Sequence, residues 1–217
     1  MREPLTETEI QENKQEFIKI LKDVERKDAN IDELLTLLED SDFYYAPAST
    51  KYHGAYKGGL CDHCLNVYYN LMHLVKYTDG YIHDLAPSTE SIAIVALLHD
   101  LDKINKYKIG VRNEKVYCEN GSKHDELGNF DWVSRYVYQT VPDEERMVYG
   151  NHEMNSEYLI RQFIPLTKEE SVAILHHMGS MNFDSAKDNI GSVYNKYPLA
   201  VLLYMADMMS TYINEAH

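Results

Sequence analysis

The alternation of apolar and polar positions is most informative over residues 92–103, which read IAIVALLHDLDK. Seven consecutive apolar residues lead directly into His99 and Asp100. Such a run predicts a buried helix, which Ser88 can cap and which ends near Asn105. Because buried charge is costly unless it is paired or ligated, this pair is either a capping Asp with a hydrogen-bonded core His or part of a metal site.

Two capping signals predict helices near the start of the chain. Thr6 and Glu9 form a capping-box pattern that is followed by apolar residues at helical spacing, which predicts a helix over residues 7–27. Asn30 and Glu33 repeat the signal before a leucine-rich segment and predict a short second helix. We interpret both helices as packing elements.

Residues 41–59 predict a loop, because one proline and three glycines break the helical pattern there. Five aromatic residues lie in the same segment, together with Lys51 and His53. Two interpretations stay open: the loop cradles a ligand, or its tyrosines pin it to the core.

The next predicted helix covers residues 60–77 and carries His63 on its buried stripe or at the edge of that stripe. Cys61 and Cys64 have the spacing of half a zinc knuckle, but the remaining cysteine, Cys118, stands alone in the sequence. We therefore predict that both cysteines are small core residues. A turn is expected over 81–87.

Aromatic and β-branched residues dominate residues 107–118 and 132–141, which predicts one or two β-hairpins on a helical body. Turns are expected at Asn113 and Gly121. His124 lies in a polar stretch between these segments, so we expect it to be exposed rather than a ligand.

Two further helices are predicted after the hairpin region. The first begins at His152 and ends before Pro165. The second is opened by a capping box at Thr167 and Glu170 and runs to His177.

A last helix is predicted over residues 197–213, with Pro198 well placed as its first helical residue. It is apolar nearly all round except for Asp207. A lone carboxylate in such a helix needs a partner.

The composition agrees with a single globular domain of 217 residues, of which 44% are hydrophobic. We expect a cytoplasmic protein without a membrane segment, because the sequence has no long apolar run, no signal-peptide core and only three cysteines. The formal net charge of −14 makes long nucleic acid an unlikely partner.

Polar residues that share apolar helices or their ends form a candidate metal site. These nitrogen and oxygen ligands suit a divalent first-row metal or magnesium better than a structural zinc, and one carboxylate could bridge two ions. Asp100 is the natural bridge. The candidates are His63, His99, Asp100, His152, His177 and Asp207.

The order His63, His99-Asp100, Asp207 resembles the H…HD…D signature of the HD-domain metal-dependent phosphohydrolases. GGLCDHCLNV, ALLHDLDK, ILHHMG and the last predicted helix resemble segments of HD hydrolases such as the 3′–5′ exoribonucleases of Gram-positive bacteria. The span from Asn151 to Gly179 is similar to a group of HD proteins common in phages and prophages. Neither a GYP signature nor a nucleic-acid-binding extension is present in the sequence.

The resemblance implies a role for each matching residue. His63, His99, Asp100 and Asp207 would hold a first metal ion, and His152 and His177 a second. His177 fits the family pattern better than His176, although periodicity does not separate the two. Lys103 would stabilise charge on the phosphoryl group and act with Asp100 in catalysis. The expected cofactor is one or two ions of Mn, Fe, Co, Ni, Mg or Zn.

The resemblance also implies a fold and an activity. We expect an all-α HD-domain helical bundle with a small β-hairpin excursion, in which residues 1–45 form a helical extension and residues 50–217 the core. The expected activity is hydrolysis of a phosphate ester, of a small nucleotide or related compound, by a metal-activated hydroxide. Two alternatives remain: a phosphodiesterase or nuclease on short oligonucleotides, and a non-catalytic nucleotide-binding module. The oligomeric state is left open.

Overall fold

The computed structural model describes residues 4–82, 86–146, 150–179 and 189–215. It is 54% helical and also contains a three-stranded antiparallel sheet, so the expected all-α class is too narrow and the fold is mixed. The predicted turn over 81–87 lies partly outside the described residues. The α-helices in the described part are α1 (Glu7–Lys22), α2 (Ile31–Asp40), α3 (Gly59–Ile82), α4 (Thr89–Leu98), α5 (His152–Arg161), α6 (Lys168–Leu175), α7 (Ile190–Lys196) and α8 (Pro198–Met209).

The capping predictions are confirmed, but several predicted helix ends are wrong. Helix α3 runs to Ile82 instead of residue 77, and α6 and α8 end at Leu175 and Met209, before the predicted residues 177 and 213. Helix α1 stops at Lys22 instead of residue 27, and Arg26 beyond it donates to carboxylates on α4 and α6. This long-range pairing takes the chain out of the helix. Helix α4 stops at Leu98 instead of near Asn105, and a short 3₁₀ turn, Leu101–Lys103, follows.

The sheet is a long ribbon with a short third strand. Strand β1 (Tyr107–Tyr117) pairs along its whole length with β3 (Gly128–Thr140), and β2 (Lys123–Asp125) pairs with the start of β3. The turn expected at Asn113 is wrong, because Asn113 lies within β1 opposite Ser134 and accepts its hydroxyl at 2.7 Å. The turn at Gly121 is confirmed by a hydrogen bond from its N–H to the carbonyl of Cys118.

Helix α4 lies at the centre of the core, packed against α1, α3 and α6, while α8 packs on α3 and α6. Every residue from Ile92 to Leu98 is buried, as predicted. Cys61 and Cys64 are buried on α3 and therefore are core residues. No described helix is long and apolar enough to cross a bilayer.

The loop before α3 is tied to the core. Phe43, Tyr44 and Tyr56 are buried, so three of its five aromatics pin the segment, whereas Tyr45 and Tyr52 are exposed. Backbone carbonyls of this loop also accept the N–H groups of residues 58 and 60 at the start of α3. The loop thereby caps the helix that carries His63.

Candidate metal centre

The candidate ligands lie at or near helix ends that face a common point. His63 lies one turn into α3, and His152 is the first residue of α5. His99 is the C-cap of α4, with Asp100 directly after it. His177 lies just beyond the end of α6, and Asp207 lies on α8.

The Asp100 carboxylate, with 3% of its side chain exposed, is the centre of the cluster. One of its oxygens lies within hydrogen-bonding distance of an ammonium group, and the other within hydrogen-bonding distance of an imidazole. Three further imidazole Nε2 atoms surround the same carboxylate at contact distance. The distances to Asp100 are 2.6 Å for Lys103 Nζ, 2.6 Å for His152 Nε2, 3.6 Å for His63 Nε2, 3.7 Å for His99 Nε2 and 3.8 Å for His177 Nε2.

Two groups of three side chains have the geometry to hold an ion. In each group the ligand atoms lie within 4.8 Å of one another. His99 belongs to both groups, so the two positions are adjacent. The groups are His63, His99 and Asp207, and His99, Asp100 and His177.

Backbone carbonyls fix the orientation of two of the rings. The Nδ1 of His99 lies 2.9 Å from the carbonyl oxygen of Ala96, and that of His177 lies 2.7 Å from the carbonyl oxygen of Ile174. A carbonyl only accepts, so each Nδ1 carries the proton. In the neutral ring the Nε2 lone pair is then left facing the cluster.

Carboxylates fix the other two rings. The Nδ1 of His63 donates to Oε1 of Glu215 at 3.0 Å, and the Nδ1 of His152 donates to Oδ1 of Asp102. A carboxylate on the far nitrogen is the usual outer partner of a metal-binding histidine, because it orients the ring and makes the inner nitrogen more basic.

Three of the inner nitrogens are buried without a hydrogen bond. Within the described residues, the Nε2 atoms of His63, His99 and His177 have no hydrogen-bond partner. Buried imidazole nitrogens are normally hydrogen-bonded, so this set of orphaned atoms beside two carboxylates fits a bound divalent cation. The chemistry of the donors therefore agrees with the metal expected from the sequence.

The pKa values of the two carbonyl-anchored rings are low. Burial, together with the neighbouring His99 and His152, lowers the pKa of His177 to about 4. Burial also lowers the pKa of His99. Both rings are thus neutral near pH 7, the form that a metal ligand requires.

The pKa values of the two carboxylate-anchored rings are raised instead. Burial opposes their protonation, but Glu215 and Asp207 raise the pKa of His63 to about 10. In the same way, Asp100 and Asp102 raise the pKa of His152 to about 9 against the effect of burial. The negative charge around these rings is therefore strong enough to retain protons, and a divalent cation would replace those protons.

The cluster lies at the floor of a cavity of about 840 Å³. This volume is within the range of about 300–1,000 Å³ that small-molecule sites occupy. Asp100, Lys103, His152, His177 and Asp207 all contribute to the lining. A molecule bound in the cavity can therefore reach the cluster directly.

The structure brings together every residue predicted for the site, and it adds residues that sequence reasoning missed. Asp102 and Glu215 orient two of the histidines, and His53 lies over His63 with ring centroids 5.0 Å apart. Asp102 had a local signal, since only Leu101 separates it from the His-Asp pair. His53 was noted only as part of a loop that could cradle a ligand, and Glu215 had no signal.

Two other histidines lie apart from the cluster. His124 is exposed in β2, as expected, and its Nδ1 lies 2.8 Å from the side chain of Asn129. His176 belongs to neither three-residue group, and its Nδ1 lies 2.7 Å from the carbonyl oxygen of Val172. The geometry therefore favours His177 over His176 as a ligand.

No protein-family model, no curated protein and no solved structure matches this chain.

Proposed function

We propose that this protein is a metal-dependent phosphohydrolase of the HD-domain type that cleaves a phosphate ester of a small nucleotide or a related compound. The observation that carries the proposal is the set of buried Nε2 atoms of His63, His99 and His177, which make no hydrogen bond and lie around Asp100. Asp100 and His177 also line the cavity. The order of His63, His99, Asp100 and Asp207 along the chain is that of the H…HD…D signature.

His99 would bind one ion through Nε2, because its Nδ1 donates to the carbonyl of Ala96. The other ligands of that ion would be either His63 and Asp207 or Asp100 and His177. Divalent ions at such positions bind phosphate oxygens and lower the pKa of water toward neutrality.

Lys103 supplies positive charge next to the reacting group. Its Nζ donates one hydrogen bond to Asp100 at 2.6 Å, and the residue also lines the cavity. An ammonium group has three donors, so two remain for oxygens of the phosphoryl group. Burial opposes the charge, but Asp100 raises the pKa of Lys103, which keeps the ammonium form at neutral pH.

His152, predicted as a metal ligand, belongs to neither three-residue group, and without an ion next to it the ring holds a proton between two carboxylates. Its Nε2 lies 2.6 Å from Asp100 and its Nδ1 contacts Asp102, while Lys106 donates to the second oxygen of Asp102 at 2.8 Å. With 18% of its side chain exposed, His152 is the most accessible histidine of the cluster. It is therefore placed to exchange a proton with a molecule in the cavity.

The choice of a small substrate is supported by charge and by enclosure. A chain with a formal net charge of −14 repels a long polyanion, which needs many cationic contacts. The cavity lining contains three lysines and three carboxylates, so bound divalent ions would give it the positive charge to attract one anionic small molecule.

The test is to measure bound metal and phosphate release in the same preparations. Wild type, Asp100→Ala and His124→Ala are loaded with Mn²⁺, freed of excess metal and analysed by mass spectrometry. Each is then assayed on nucleotides, cyclic dinucleotides and short oligonucleotides. We expect metal and activity in wild type and His124→Ala, and loss of both in Asp100→Ala.

Three results would contradict the proposal or narrow it. Equal metal loss in both variants would remove Asp100 from its assigned role. Bound metal without turnover of any compound would contradict the hydrolase and leave the nucleotide-binding module. Release only from oligonucleotides would replace the proposed substrate class by the phosphodiesterase alternative.

A further inference from the structure

One wall of the cavity is formed by residues 51–56 of the loop before α3. The N–H of Ala48 donates to the carbonyl of Gly54 at 2.9 Å, and the hydroxyl of Ser49 donates to the carbonyl of His53 at 2.7 Å. Ser49 also accepts the N–H of Tyr52 at 2.9 Å. Residues 48–54 are thereby closed into a compact turn with a defined shape.

The base of this turn is buried and its tip is exposed. Ala48 and Tyr56 are buried at its two ends, whereas Tyr52 at the tip is 76% exposed. Lys51 is exposed beside it, with Nζ 6.0 Å from the centre of the Tyr52 ring. Both tip residues line the cavity. A fixed base that presents a cation and an aromatic ring to a cavity is a built recognition element rather than a loose surface loop.

A second exposed aromatic residue lines the same cavity from another element. Tyr212 lies in the π-helical turn Ser210–Asn214 that follows α8, and 65% of its surface is exposed. Flat rings bind other flat rings by stacking. Tyr52 and Tyr212 thus give the mouth of the cavity two surfaces for a planar group.

The lysines of the cavity differ in their pairing. Lys103 donates to Asp100, and Lys106 donates to Asp102. Lys51 has no ion-pair partner among the residues that the structure describes. Its charge is therefore available for an anionic group that lies away from the cluster at the cavity floor.

We infer that Lys51, Tyr52 and Tyr212 form a specificity rim, which selects a phosphate ester that carries a flat aromatic ring and a second anionic group. This inference rests on the proposed function, since the first phosphate is assigned to the metal cluster. The ring lies against the tyrosines, and the second anionic group binds Lys51. A nucleotide with more than one phosphate has this chemistry.

Three probe compounds separate the two parts of the rim. Ribose 5-phosphate has one phosphate and no base, AMP adds the base, and adenosine 3′,5′-bisphosphate adds a second phosphate ester at a separate position. We expect wild type with Mn²⁺ to prefer the bisphosphate over AMP and AMP over ribose 5-phosphate in kcat/KM. Lys51→Ala lowers the bisphosphate-to-AMP ratio about tenfold, and Tyr52→Ala and Tyr212→Ala lower the AMP-to-ribose 5-phosphate ratio about tenfold.

Two control variants match these changes outside the cavity. Lys57 pairs with Glu7, and Tyr77 is 78% exposed on α3. We expect Lys57→Ala and Tyr77→Ala to keep both ratios at the wild-type values. Ratios that fall equally in rim and control variants would overturn the rim, as would ratios that do not change in any variant that turns over the probes.

Binding measurements distinguish failure of the rim from failure of the proposed function. The same three compounds are titrated into each Mn²⁺-loaded variant by calorimetry, irrespective of turnover. Affinity that follows the predicted order and weakens in the rim variants, without any product, would retain the rim and contradict the hydrolase. Turnover of the probes with affinities that do not depend on the base or on the second phosphate would support the hydrolase and contradict the rim.

Discussion

The imidazole of His63 donates from Nδ1 to Oε1 of Glu215 across 3.0 Å, although the two residues are 152 positions apart in the chain. The π-helical turn Ser210–Asn214 after α8 directs Glu215 back into the core, where it is 4% exposed. Asn66 donates to the same oxygen at 3.3 Å. The ring of a candidate ligand on α3 is therefore oriented by a residue that lies beyond the last α-helix.

Replacement of Glu215 by Gln should weaken metal binding. The amide keeps the shape of the side chain but removes the negative charge that makes Nε2 of His63 more basic and therefore a stronger metal ligand. Loss of such an outer partner typically costs about 10–100-fold in metal affinity. Titration of Mn²⁺ into the metal-free variant measures this change. Glu12→Gln on the exposed side of α1 is the control, and equal affinity in the two variants would remove Glu215 from its positioning role.

Two adjacent histidines should differ sharply in metal binding. His177 is fully buried with its Nε2 3.8 Å from Asp100, whereas His176 is only half-buried and belongs to neither ion-binding group. We expect His177→Gln to lose at least one bound ion per chain and His176→Gln to retain the wild-type content. Metal analysis of the purified variants decides between them. Loss in the His176 variant alone would reverse the assignment.

Local signals in the sequence predicted the elements better than their ends. Thr6, Asn30, Ser88 and Thr167 all cap the helices expected of them, because a cap depends only on residues one turn away. The end of α1 was predicted too late, because it depends on the pairing of Arg26 with residues on α4 and α6. Local pattern carries no information on such contacts.

The residues of the candidate site also differ in how well the sequence alone predicts them. His99 and Asp100 stand out in the sequence because polar residues interrupt an apolar run, and the structure places them in the core. Glu215 could not be found, because it lies in a polar segment that resembles an ordinary surface, and His53 was noted only as part of an aromatic loop that could cradle a ligand. Only the tertiary fold brings these two side chains to His63. Residues that orient ligands are therefore harder to predict from one sequence than the ligands.

Gly59 should be irreplaceable at the start of α3. A β-carbon there would lie 2.1 Å from the carbonyl oxygen of Gly54, which already accepts the N–H of Ala48. Gly59→Ala must push the loop away from the helix that carries His63. We expect a loss of about 1–3 kcal/mol in the free energy of unfolding and weaker Mn²⁺ binding.

Denaturation in urea and metal titration together measure the effect of Gly59→Ala. Gly191→Ala in α7 is the helical control, because within 4 Å its β-carbon would meet only Oδ1 of the N-cap residue Asn189, at 3.2 Å. Unchanged stability and metal affinity in Gly59→Ala would show that the close approach to Gly54 does not position the helix.

The carboxylate of Glu170 should make the stability of the protein depend on pH. Its oxygens accept from Arg26 at 2.7 and 2.8 Å and from the hydroxyl of Ser91 at 2.7 Å, and the side chain is fully buried. Burial raises the pKa of Glu170, but these donors outweigh it and hold the pKa below its usual value of 4.5. The network joins α4 and α6 to the segment after α1.

The sign of the pH effect follows from the lowered pKa. The stabilisation by Glu170 is complete above pH 4.5, the value in the unfolded chain, and is lost as the pH falls through the lower value of the folded protein. At neutral pH we expect Glu170→Gln to cost about 2–4 kcal/mol, because Arg26 loses its buried charge partner. Below pH 4.5 the difference between wild type and variant should shrink. Urea denaturation of both proteins across this range, with Glu169→Gln from the same helical turn as control, measures the difference. A gap that stays constant with pH would show that Glu170 is not held as a carboxylate by this network.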